Sequence, residues 1–137
     1  MSFHLYFQPL VHDKPLDISR VELRSLFPVV EEESEPDYWK IRYDPLNTCH
    51  IGVTAVTSAS DLLSSFYVER PCGDPRLWEA LFRVLNRGPI VLYFPGGPPI
   101  VASNQVGAAL SPEVSGSLGE PRCVYSAGEI SKIIREY

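Results

Sequence analysis

The stretch Phe66–Ala102, FYVERPCGDPRLWEALFRVLNRGPIVLYFPGGPPIVA, constrains the fold more tightly than any other part of the chain. It writes strand, capped helix, strand, tight turn and strand in succession. Asp74 is a helix N-cap residue, and Pro75 takes the first helical position, where a missing N–H costs nothing. Leu77, Trp78, Leu81, Phe82 and Leu85 recur along one stripe of a 3.6-residue repeat, with Arg76, Glu79 and Arg83 on the outer face. Gly88 is expected to end the helix, and Pro89 to prevent its continuation. Ile90–Phe94 is an apolar run of strand length, Pro95-Gly96-Gly97-Pro98-Pro99 turns the chain, and Ile100–Ala102 resumes it.

The remaining segments are shorter. Phe3, Leu5 and Phe7 alternate with His4, Tyr6 and Gln8, the period-2 pattern of a half-buried strand ended by Pro9. Ser19 is placed to cap a short helix reaching Phe27, with Val21, Leu23 and Leu26 available for burial and Pro28 as its stop. In Tyr38–Tyr43 the alternation puts Trp39, Ile41 and Tyr43 on one side and Lys40 and Arg42 on the other. Asp44-Pro45-Leu46-Asn47 is turn chemistry, and Cys49, Ile51, Val53 and Ala55 share a face beyond it, so the two runs predict a hairpin. A further strand is expected around Ser64–Glu69. Between Ser103 and Arg122, glycine, serine and proline accumulate and periodicity disappears. That predicts a long flexible loop over 103–122, able to serve as a lid. Ser126-Ala127-Gly128-Glu129 reads as a capping box for a final helix with Ile130, Ile133 and Ile134 on its apolar face.

The expected order is β-α-β-β-β-α-β-β-α within one globular domain spanning 1–137. Hairpins favour antiparallel pairing, while the strand–helix–strand unit from Phe66 to Phe94 adds a parallel, right-handed crossover. The fold class is therefore α+β: a single-layer, mainly antiparallel β-sheet with two or three helices packed on one face. A chain of 137 residues buries enough surface to fold without a metal or disulfide staple.

Charge narrows the partners. The formal net charge of −5 arises in one place, since Glu31, Glu32, Glu33, Glu35 and Asp37 fall within a single short segment. Outside that segment 12 acidic side chains face 12 basic ones. Balanced charge without a basic stripe argues against nucleic-acid binding, which needs lysine and arginine to neutralise phosphates. The apolar runs are too short to span a bilayer, and the N-terminal MSFHLYFQPL lacks the pattern of a signal peptide. Cys49, Cys72 and Cys123 form neither a CxxC nor an even-numbered disulfide framework, which suits reduced thiols and a cytoplasmic setting.

No motif assembles a known chemistry. Cys72 precedes the helix opening at Asp74, and a helix N-terminus, with Arg70 and Arg76 nearby, favours a thiolate. Asp74 opposes that effect, and a base would have to come from His4 or His50 through space. Cys49 and His50 are adjacent on a strand, so they point to opposite faces and serve no common metal. No metal or cofactor is expected. The proline-rich turn at 95–99 lacks the amide donors and lysine of a phosphate loop.

The acidic segment has neither the ligand alternation nor the glycine of a calcium loop. It reads as a solvated loop whose charge can orient a basic partner. Tyr6, Tyr38, Trp39, Tyr43, Tyr67 and Tyr93 all fall on strands, and those facing outward would form a contact surface. The leading expectation is a non-enzymatic interaction domain with the make-up of small acidic inhibitors and bacterial immunity proteins. Its partner-binding residues would be Glu31, Glu32, Glu33, Glu35, Asp37, Tyr38 and Trp39. The alternatives are a small enzyme with Cys72 as nucleophile and a small-ligand-binding domain.

Overall fold

Alternating burial makes the first strand the organising element. β1 (His4–Pro9) buries Leu5 and Phe7 and turns Tyr6 outward. The computed structural model describes residues 3–137. It shows an α+β fold with a seven-stranded, mostly antiparallel open sheet and five helices. β2 (Tyr38–Asp44) and β3 (Asn47–Ala55) form the expected hairpin, followed by β4 (Leu63–Glu69), β5 (Ile90–Tyr93), β6 (Ile100–Val101) and β7 (Arg122–Cys123). Across the sheet the order is β2-β3-β4-β1-β5-β6-β7.

β1 pairs antiparallel with both β4 and β5. Those two strands therefore run parallel to each other but are not neighbours. The crossover helix α2 (Pro75–Leu85) carries the chain over β1, which fills the gap. The parallel ladder lies elsewhere, between β6 and β7.

Local chemistry accounts for the helices. α1 (Arg20–Ser25) is capped by Ser19, whose hydroxyl accepts from the Glu22 N–H at 3.1 Å. Asp74 caps α2, accepting from the Arg76 N–H at 2.9 Å. α5 (Ala127–Arg135) is held by Ser126, and the Glu129 carboxylate reaches back to the Tyr125 N–H at 3.1 Å. One boundary needs correction: α2 stops at Leu85 with Asn86 as its C-cap, before Gly88. Gly88 has a different reason to be small, because a Cβ there would collide with the Asp17 side chain.

A larger correction concerns the segment expected to be a flexible loop over 103–122. It folds as α3 (Asn104–Ala109), α4 (Pro112–Leu118) and β7. Each helix is under two turns, too short for an apolar repeat to register. Gly107 and Gly116 lower their intrinsic propensity further. The caps are nevertheless made, by Ser103 to the Gln105 N–H and by Ser111 to the Val114 N–H.

These helices also revise the expected layering. Leu23 of α1, the stripe of α2 and the isoleucines of α5 join Leu5, Phe7, Trp39, Ile51 and Phe66 in the main core. Val106 and Val114 of the two short helices, with Leu110 at the end of α3, join Val91 and Val101, which project from the opposite side of β5 and β6. The expected arrangement, with helices on one face only, fails at this end of the sheet, where both faces are covered.

Phe66 and Phe7 are cross-strand partners whose rings stack at 4.4 Å in the middle of the main core. Phe66→Ala is expected to cost about 3–5 kcal/mol, read as a lower urea midpoint. Asp74 supplies a pH test. Hydrogen bonds from the Arg76 side chain, then its backbone N–H, hold the Asp74 carboxyl below its usual range. A depressed carboxyl contributes stability above the unfolded value of about 3.9 and loses it as pH falls through the folded value. Asp74→Asn keeps the capping oxygen without the charge. Urea melts should show its deficit at pH 7 shrinking toward pH 2.

Candidate functional site

The strand register lines up side chains on the sheet face opposite the main core. Tyr38, Gly52, Tyr67, Tyr6 and Tyr93 are successive cross-strand partners on β2, β3, β4, β1 and β5. Gly52 is the gap in this tyrosine row, and it is needed: a Cβ there would strike the Tyr67 ring, which lies over bare backbone. Lys40, His50, Glu69 and His4 form the adjacent row. The rows interlock, with His4 stacked on Tyr6 at 5.7 Å and 5.2 Å from Tyr67, and Tyr38 stacked on His50 at 5.0 Å. The Tyr38 hydroxyl donates to Glu69 Oε2 at 2.7 Å. Partial burial, reinforced by that hydrogen bond and the Glu69 charge, pushes the Tyr38 phenol up to about 12. Among the described residues no helix covers these rows between β2 and β1, and Tyr6 is 41% exposed.

The acidic segment borders this face and has structural work of its own. Val30 N–H donates to Lys40 O at 2.8 Å, Arg42 N–H to Pro28 O at 3.1 Å and Glu35 N–H to Tyr38 O at 2.9 Å, so the segment covers the outer edge of β2. A 3-10 turn spans Glu31–Glu33. Covering an edge strand removes a template for unwanted pairing.

Several acidic charges are answered within the chain. Glu31 pairs with Arg24 at 2.6 Å, Glu33 with Lys40 and, at 3.9 Å, with Arg42, and Asp37 with Arg20 at 3.2 Å. Glu32 and Glu35 have no ion-pair partner among the described residues and keep their charge for the surroundings. Of the residues expected to meet a partner, Tyr38 lies on the open face, but Trp39 does not. Its side chain is wholly buried on the other side of β2, with Nε1–H donating to Pro36 O at 3.0 Å. Trp39 is a core residue, as strand alternation next to Tyr38 requires.

Cys72 lies on the helix side of the sheet. It lines a cavity of about 690 Å³ formed by the β4–α2 connection, α2, α5 and the Phe94–Pro95 turn. Cys49 projects into the main core, where burial and then the neighbouring Cys72 push its thiol up to about 12. His4 and His50, the histidines considered as a base for Cys72, stack with tyrosines on the opposite sheet face. Arg76 is engaged by Asp74 at 2.8 Å. The thiol and these imidazoles are thus separated by the sheet. Among the described residues no group of three or more His, Cys, Asp or Glu side chains could hold a metal ion, and no helix is long and apolar enough to cross a membrane.

Sequence reading located the strand tyrosines but could not align them, because their alignment depends on β1 entering between β4 and β5. The cavity was equally hidden, since Phe3, Trp78, Phe94 and Tyr137 converge from four distant segments. The chain matches no family model, and no curated protein or solved structure matches it.

The Tyr38–Glu69 contact can be tested by alkaline absorbance titration. A raised phenol pKa favours the folded state below the unfolded value of about 10, and that contribution disappears as pH rises toward about 12. Tyr38 should ionise late, along with Tyr43, Tyr93 and Tyr125, whose phenols are also raised. Glu69→Gln should bring one of the late midpoints down by removing the charge beside Tyr38.

Proposed function

We propose that this chain is a non-enzymatic protein-interaction domain that presents the open face of its sheet to a basic protein surface, in the manner of a small inhibitor or immunity-type protein. The observation that carries this reading is the tyrosine row from Tyr38 through Tyr67 and Tyr6. Tyrosine supplies large, semi-rigid contact area with a polar tip, which suits the centre of a binding surface. Histidine stacking and the Tyr38–Glu69 hydrogen bond restrict these rings before any partner arrives, which lowers the ordering cost of association.

The sign of the partner follows from the border of the face. Glu69 lies within it, and the acidic segment flanks β2 with Glu32 and Glu35 in no ion pair among the described residues. Such charge accelerates encounter and orients a basic surface more than it adds affinity. Glu31, Glu33 and Asp37 contribute less to this field because their cations are already in place. Their role in the proposal is to hold the segment in place, Glu33 against β2 and Glu31 and Asp37 against α1.

Affinity capture from a host lysate, followed by titration of the recovered partner, tests the proposal. The wild-type chain should retain one partner stoichiometrically. A Tyr6→Ala, Tyr67→Ala double variant with an unchanged circular dichroism spectrum should bind at least about 100-fold more weakly, the loss expected for two central hot-spot residues. Glu32→Gln with Glu35→Gln should mainly slow association and flatten its salt dependence. Equal retention by the wild-type chain and the tyrosine variant would remove the open face as the binding surface.

A further inference from the structure

The cavity beside Cys72 has the size and chemistry of a ligand site separate from the sheet face. At about 690 Å³ it falls within the range of small-molecule pockets, roughly 300–1,000 Å³. Phe3, Trp78, Phe94 and Tyr137 bring aromatic surface to it from just before β1, from α2, from just after β5 and from just beyond α5. Two stretches of wall are bare glycine backbone. Both glycines, Gly73 and Gly128, are exposed at the cavity mouth, where a Cβ added at either would meet nothing within 4 Å.

The polar inventory selects the ligand. Pro71, Pro75 and Pro95 line the cavity and offer no amide hydrogen. The Ser131 hydroxyl is already committed, donating to Gly128 O at 3.2 Å, and Arg135 Nε donates to Ser131 O at 3.3 Å. Glu79 and Arg135, both exposed, supply one charge of each sign, so the lining side chains favour neither an anion nor a cation. The other polar side chains are neutral: the Trp78 indole N–H, the Tyr137 hydroxyl and the half-buried Cys72 thiol, a soft and weakly polar group that packs well against aromatic rings. A charged molecule entering here would lose hydration and meet a single opposite charge on an exposed side chain, whereas an apolar ring would meet four aromatic side chains.

We infer that this cavity is a binding site for an uncharged, largely aromatic small molecule, seated between α2 and α5 against Cys72.

Two dyes with one ring skeleton test both halves of the inference. N-phenyl-1-naphthylamine is neutral, and 1-anilinonaphthalene-8-sulfonate carries an added sulfonate. The neutral dye should bind one per chain with enhanced fluorescence and slow iodoacetamide alkylation of Cys72 while leaving Cys123 unaffected. The sulfonate should bind at least about tenfold more weakly, because its charge gives up hydration in a largely apolar site. Gly128→Phe, placing a ring at the cavity mouth from α5, should weaken dye binding and the protection of Cys72 together. Gly73→Leu obstructs the mouth from the opposite side and serves if the first variant does not fold. Absence of saturable binding by the neutral dye would overturn the site. Equal affinity for the sulfonate would overturn the ligand class, and undiminished binding by a folded mouth-obstructing variant would overturn the location.

Discussion

The insertion of β1 between β4 and β5 is the constraint on which the other features depend. The first strand of the chain pairs along one edge with a strand about sixty residues away and along the other with one more distant still. Without it the β4–α2–β5 unit would have a gap at the centre of the sheet, and the main core would lose Leu5 and Phe7. The same insertion brings Tyr6 between Tyr67 and Tyr93 and places Phe3 at the cavity. Loop closure over such separations is entropically unfavourable until the hydrophobic contacts form. The stacked Phe7–Phe66 pair shows where those contacts concentrate.

What was legible in the sequence follows the range of the interaction responsible. Caps and turns act over three or four residues, so Ser19, Asp74, Pro75 and Ser126 identified their helices, and Asp44–Asn47 identified its hairpin. Strand alternation acts over two residues and sorted Leu5 and Phe7 from Tyr6 correctly. The same rule, applied strictly at Tyr38–Trp39, would have put the tryptophan in the core rather than in a partner interface. Gly88 misled for a different reason. Glycine suits either a helix end or a close approach, and only the position of Asp17 decides between them.

The segment from Ser103 to Arg122 shows the limit of periodicity as a signal. Its helices have six and seven residues, so each offers only two or three positions on an inward face, and Val106 and Val114 carry that role. Such helices are not stable by themselves. They form because Val91 and Val101 give them an apolar surface to cover, a surface that exists only once β5 and β6 have paired. The caps at Ser103 and Ser111 were present in the sequence, but without a stripe behind them they resembled ordinary turn residues.

The two surfaces with functional promise meet at the end of β4. Tyr67 and Glu69 face the open side of the sheet, whereas Pro71 and Cys72 line the cavity on the helix side. Between them Arg70 adopts φ +51°, the one positive value among the described non-glycine residues. That conformation is costly for a side chain with a Cβ and persists only where its surroundings enforce it. Here the Arg70 N–H donates to Phe3 O at 3.1 Å, extending the β1–β4 pairing by one more bond. The pairing that aligns the tyrosines thus also fixes the turn by which the chain leaves the sheet. A change that loosened β1 at Phe3 would disturb the cavity wall and the stacked His4–Tyr6 pair together, through one strand end rather than through any path across the core.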